Sequence, residues 1–90
     1  MEFEWEPEKA LSNERKHGVS FPEATSVFGD PLAMTFRDPD HSFGEQRWLT
    51  FGISSVERLL IVSHTRAAEK ERIISARKAR RHERKIYEDG

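Results

Sequence analysis

The stretch from Arg58 to Lys78 limits what this chain can fold into more than any other. Two runs rich in β-branched and aliphatic residues, Arg58 to Arg66 and Arg72 to Lys78, are joined by the short polar link Ala67 to Glu71. Each is apolar over most of its length and turns polar and basic at an end, the pattern of strands that are buried along their middle and functional where they emerge. Paired as a hairpin, they bring His64 and Arg66 near Arg72 and leave Arg77 and Lys78 at the far end. Which of these groups share a face depends on register, because a slip of one residue sends every side chain of a strand to the other side. The link itself does not fix the turn.

Around this hairpin the chain is read in order. Phe3 and Trp5 alternate with Glu2, Glu4 and Glu6, giving a short edge strand. Pro7 opens a surface helix to His17, which Gly18 ends. Ser20 and Glu23 have capping-box spacing at the start of a second helix that reaches about Phe28. Strands follow over Ala33 to Asp38 and Glu45 to Ser54, separated by a turn-rich loop at Asp38 to Ser42. In the longer one, Arg47, Leu49, Phe51 and Ile53 share one face and Trp48, Thr50 and Gly52 the other. After the hairpin a last helix spans about Ala79 to Glu88. Clustered helices with an antiparallel sheet of four to five strands, arranged as a meander, make a single α+β domain over residues 1–90.

Composition excludes several classes. With no cysteine there is no disulfide framework, thiolate nucleophile or cysteine-bound zinc. No apolar run approaches the roughly 20 residues of a membrane span, and Met1 to Trp5 lack the start of a signal peptide, so a cytoplasmic location without membrane contact is expected. Net charge is -1, but its distribution is lopsided. Residues 46 to 90 hold 11 Lys/Arg against 6 Asp/Glu, and Arg66 to Lys85 alone hold 9 against 3. Such a stripe on a nearly neutral protein points to an anionic ligand, although any one of these cations is as easily a solvated surface charge.

Among single residues, His64 stands at the polar end of an apolar strand two residues before Arg66. An imidazole there can move a proton while the guanidinium holds a phosphate, or it can simply hydrogen-bond at a strand end. His17 ends a helix after Arg15 and Lys16, where capping is as good an explanation as function. His41 with Asp38 and Asp40 lacks a metal-ligand spacing, so neither metal nor cofactor is expected. Glu83 and Tyr87 lie one helical turn apart, within hydrogen-bonding reach, and Tyr87 is either a core-edge aromatic or a base-stacking platform.

The blocks Phe3-Glu4-Trp5, Lys16-His17-Gly18-Val19-Ser20-Phe21, Glu23-Ala24, Val27-Phe28, His64-Thr65-Arg66 and Arg72-Ile73-Ile74-Ser75-Ala76-Arg77-Lys78-Ala79, with Glu83 and Tyr87, resemble the BrnT family of type II toxin–antitoxin toxins. The resemblance runs through nearly the whole chain. It implies a RelE-like fold, a metal-independent endoribonuclease that arrests translation, and a BrnA-type ribbon-helix-helix antitoxin through which alone DNA would be contacted. It also implies roles for His64 as proton carrier, Arg66 and Arg77 as charge-stabilising cations and Tyr87 as a positioning group. The basic stripe then supplies RNA contacts through Arg72, Lys78, Arg80, Arg81 and Arg84, joined by His17. Two positions depart from the pattern: Glu6 replaces an Asp common before the first helix, and Arg80 replaces the Ser or Thr that often caps the last. The competing reading is a non-catalytic module that binds nucleic acid or an acidic protein through this edge.

Overall fold

The structure, a computed structural model, describes residues 1–41 and 45–90, with His41 through its backbone alone. The elements are β1 (Glu2–Glu4), α1 (Pro7–His17), α2 (Phe21–Ser26), β2 (Met34–Arg37), β3 (Arg47–Ile53), β4 (Leu59–Ala67), β5 (Lys70–Lys78) and α3 (Arg81–Asp89), with 3-10 turns at Val27–Gly29 and Pro39–His41. They form one sheet of five strands in the order β1-β5-β4-β3-β2. The expected meander is β2 to β5, and β1 adds to it as a parallel partner of β5 through Glu2↔Lys70, Phe3↔Glu71 and Glu4↔Arg72. The sheet is therefore mixed.

Local chemistry explains the helix ends. Pro7 opens α1, and Gly18, at φ 68°, closes it with a backbone bond to the Glu14 carbonyl. At α2 the Ser20 hydroxyl accepts from the Glu23 amide at 3.1 Å, but the return half of the expected capping box is missing. The Glu23 carboxylate instead accepts from the Ser54 hydroxyl at 2.7 Å and from Arg58 Nε at 2.9 Å, pinning α2 to the β3–β4 hairpin.

One face of the sheet carries the core. Val19, Phe21, Ala24 and Val27 from the helical layer pack on Leu60, Val62, Ile73 and Ala76. Gly52 is required here, because a Cβ would lie 2.7 Å from Val27 Cγ1 and 3.2 Å from the Val27 carbonyl. On β5, Ile73 and Ala76 both reach this core although they are three positions apart. A β-bulge makes that possible: His64 pairs with Ile73 but Ser63 with Ser75, leaving Ile74 as the extra residue. Beyond the bulge Asn13 substitutes for a strand partner, its amide donating to the Ala76 carbonyl at 2.8 Å and accepting the Ala76 N–H at 3.0 Å. Among the described residues no helix is long and apolar enough to cross a membrane.

Candidate active site

The β4–β5 connection is tighter than the link read from the sequence. Ala67 pairs with Lys70, so only Ala68 and Glu69 make the turn, with Ala68 at φ 58°. That register puts Glu71 directly opposite Arg66. Both belong to the helix-bearing face, with His64 between them and the core. Here Glu71 Oε2 lies 2.8 Å from His64 Nδ1 and Oε1 lies 3.0 Å from the Arg66 guanidinium. On the other side of the ring, His64 Nε2 is 2.7 Å from the hydroxyl of Thr50 on β3, which is 2.8 Å from the hydroxyl of Thr35 on β2.

A carboxylate can only accept, so Nδ1 carries the proton and Nε2 of the neutral ring is the acceptor. Thr50 then donates to Nε2, and Thr35 donates to Thr50. Five side chains on four strands thus form one hydrogen-bonded row. Its middle is buried, with Thr50 1%, His64 4% and Glu71 7% exposed, while Thr35 and Arg66 at its two ends are exposed. Burial lowers the His64 pKa below the ordinary 6.5, opposed by the Glu71 carboxylate, so the imidazole is neutral at pH 7 and ready to take a proton. Phe28 holds the ring edge-on, with centroids 4.8 Å apart. Thr35, His64, Glu71 and Arg66 of the row line a cavity of about 650 Å³ whose wall also includes Phe28 and Trp48, with Gln46 among its polar lining.

The remaining expected site residues are elsewhere. Arg77, given a charge-stabilising role beside His64 by the resemblance, is not beside it: Arg77 pairs with Ile61 and so points to the opposite face of the sheet. The bulge is the reason. Were Ile74 paired with Ser63 and not bulged, the register of His64 with Ile73 would carry on to place Arg77 beside Leu60, on the His64 side. Arg77 is instead held bidentate by Glu83, at 2.8 and 2.7 Å. The same carboxylate accepts the Arg80 N–H at 2.8 Å, which caps α3 although Arg80 has no acceptor to return the bond. These donors, Arg77 foremost, lower the Glu83 pKa to about 2.

Tyr87 does not bond to Glu83. Its hydroxyl donates to Asp30, which also accepts the Ile53 N–H at 2.8 Å. The Asp30 carboxylate pushes the Tyr87 pKa up to about 12, so this tyrosine fastens α3 to the body of the domain. Arg72 lies opposite Thr65 on the far face and is bonded to Glu4 at 2.7 Å. Lys78 is on the His64 face but pairs with Leu60, four residues along β4, or about 13 Å away at strand rise. Arg80, Arg81 and Arg84 are exposed on and before α3, and His17 lies in the last turn of α1 beside Lys16. The His41 side chain is outside the described residues, and with it the loop histidine weighed as a metal ligand.

Of the expected cluster, the structure brings together His64 and Arg66. Glu71, Thr50, Thr35 and Trp48 complete the site and were missed by sequence reasoning. Glu71 was assigned to the link. A two-residue turn, which would have paired it with Arg66, was the signal that could have found it.

Comparison with known proteins bears on the family and the fold. A family model described as ribonuclease toxin, BrnT, of type II toxin-antitoxin system matches residues 5–83. The 1.1 Å crystal structure of the Brucella abortus ribonuclease toxin BrnT superposes with a TM-score of 0.70 at 20% identity, covering 90% of this chain and 99% of that one. At that identity the likeness is one of fold. No curated protein matches. With the family model spanning most of its length, the chain belongs to the BrnT family of ribonuclease toxins of type II toxin–antitoxin systems.

Proposed function

We propose that the chain is an endoribonuclease whose reacting centre is the cavity at the turn end of the β4–β5 hairpin. The observation that carries this reading is the row Thr35–Thr50–His64–Glu71–Arg66, with a buried neutral imidazole and an exposed cation at one opening. The ribose 2′-hydroxyl attacks the adjacent phosphorus, and the bond to the 5′-oxygen breaks. His64 has no nitrogen free to touch RNA. The proton therefore leaves the 2′-hydroxyl for Thr35 as Thr35 passes its own to Thr50 and Thr50 to Nε2.

Glu71 acts as a positioning residue, fixing the tautomer and stabilising the imidazolium that forms, a role carboxylates take beside imidazole bases. Arg66, 61% exposed, faces the developing negative charge. Solvent protonates the departing 5′-oxygen, leaving a 2′,3′-cyclic phosphate and a 5′-hydroxyl. In this scheme the chain's own groups are sufficient without a metal. A general base of this kind supplies about 10²- to 10⁴-fold.

In the cell, the activity would inhibit translation in the cytoplasm and be neutralised by a BrnA-type ribbon-helix-helix antitoxin, which would carry any DNA contact. The test is incubation of the purified chain with RNA in excess chelator, followed by analysis of the product ends. Cyclic phosphate and 5′-hydroxyl ends, lost in His64→Ala and Arg66→Ala proteins, are expected. Equal cleavage by those variants would remove the scheme. Saturable RNA binding without cleavage would favour a binding module.

A further inference from the structure

We infer that the cavity beside His64 is a subsite for one unpaired nucleobase of the RNA, with Trp48 as its stacking platform. The inference rests on the ribonuclease reading of the same cavity and adds what the cavity holds. Tyr87, the aromatic expected to stack, has its hydroxyl committed to Asp30. Trp48 instead sits opposite His64 in the β3–β4 pairing, is half-buried, and forms the cavity wall with Phe28.

A volume of about 650 Å³ accommodates a small planar ligand, and its lining has the mixture such sites use, aromatic walls with a few polar groups. Every base offers a π-face to an indole, and single-stranded RNA is read by stacking and by contacts to base edges. Glu45 and Gln46 supply those edge contacts, with acceptors for exocyclic amino groups. Arg66 lines the same cavity and is the cation for the phosphate attached to the base. A base held on Trp48 is thereby tethered one bond system away from the phosphorus to be attacked.

Trp5 is the second tryptophan, packed edge-on to Phe21 in the interior. In a Trp5→Phe background Trp48 becomes the sole indole reporter. The four nucleoside 3′-monophosphates are titrated against its fluorescence, with ribose 5-phosphate as the control, and RNA cleavage is assayed on the same preparation. Saturable quenching by one or more nucleotides but not by ribose 5-phosphate is expected. Calorimetry should show nucleotide binding weakened roughly ten- to hundredfold by Trp48→Ala and largely kept by Trp48→Phe.

Nucleotides that leave the emission unchanged while RNA is still cut overturn the subsite and leave the catalytic reading intact. Quenching by nucleotides without cleavage does the reverse. Equal quenching by ribose 5-phosphate, or unweakened binding by Trp48→Ala, also overturns the subsite.

Discussion

The two ends of the β4–β5 hairpin use the same residue types for different purposes. At the strand-exit end, each arginine meets a carboxylate of its own: Arg77 is bonded through both amino groups to Glu83, and Arg58 is bonded to Glu23 while it also reaches the Gly18 carbonyl at 2.9 Å. Those pairs hold α3 and α2 in place. At the turn end, the single carboxylate of Glu71 is divided between His64 and Arg66, and Arg66 remains 61% exposed. A cation is available to a ligand where the local carboxylate is shared. It is structural where the carboxylate is its own.

The contrast is broken most severely at Glu71. Glu71→Gln keeps the shape but cannot stabilise an imidazolium, so cleavage should fall about 10²-fold, with partial recovery in Glu71→Asp. A purely structural role would lower the yield of folded protein and leave the pH profile unmoved. The expected signature is instead a shift of the acidic limb of that profile. In the parent, that limb should lie below pH 6.5, because burial depresses the His64 pKa and protonation removes the acceptor. The same depression makes the unfolded chain bind the proton more readily than the folded one. Stability should accordingly decline as pH falls through and below 6.5, and His64→Gln should flatten that slope.

At the other end the effect should be on stability alone. Glu83→Ala strips the partner from a partly buried Arg77 and the cap from α3, at an expected cost on the order of 2 kcal/mol, read by urea denaturation. Cleavage per folded molecule should be unchanged. Because the folded pKa of Glu83 is about 2 against an ordinary 4.5, its contribution is complete above pH 4.5 and is lost as pH falls from there toward 2.

Gly52→Ala probes the connection between the two ends. Its Cβ would collide with Val27, whose 3-10 turn also carries Phe28 against His64. A loss of about 1–2 kcal/mol is expected, together with weakened cleavage. The smallest effect belongs to the turn. Ala68 has φ 58°, so Ala68→Gly should gain up to about 1 kcal/mol in thermal unfolding without altering cleavage.

Much of this fold was legible because its signals are local. Pro7 and Gly18 mark the ends of α1, and alternation along Arg47–Ile53 sorts Thr50 from Phe51 correctly. What escaped depended on partners far away in the chain. β1 pairs in parallel with β5 and its Phe3 ring packs on Phe28 with centroids 5.1 Å apart, and no local pattern gives a strand's direction. Glu23 has the right spacing to cap α2, yet Arg58, 35 positions away, outcompetes the backbone amide for it. His64 and Arg66 were visible as candidates. That His64 is enclosed, with both nitrogens engaged, could not be seen without Thr50 and Glu71 of the two neighbouring strands.

Ile74 has a consequence for how this hairpin tolerates change. The additional residue resets the phase of β5, so the segment before it and the segment after it present their odd and even positions to opposite sides. Because Ile74 is the unpaired residue, loss of its codon would let Ser75 follow Ile73 in regular alternation and leave Arg77 opposite Ile61. Drawing Ile74 into the ladder would instead transpose the whole tail of the strand, exchanging the groups that clasp α3 with those that meet the interior. Point substitutions on either segment leave that phase alone, which lets the two surfaces vary separately.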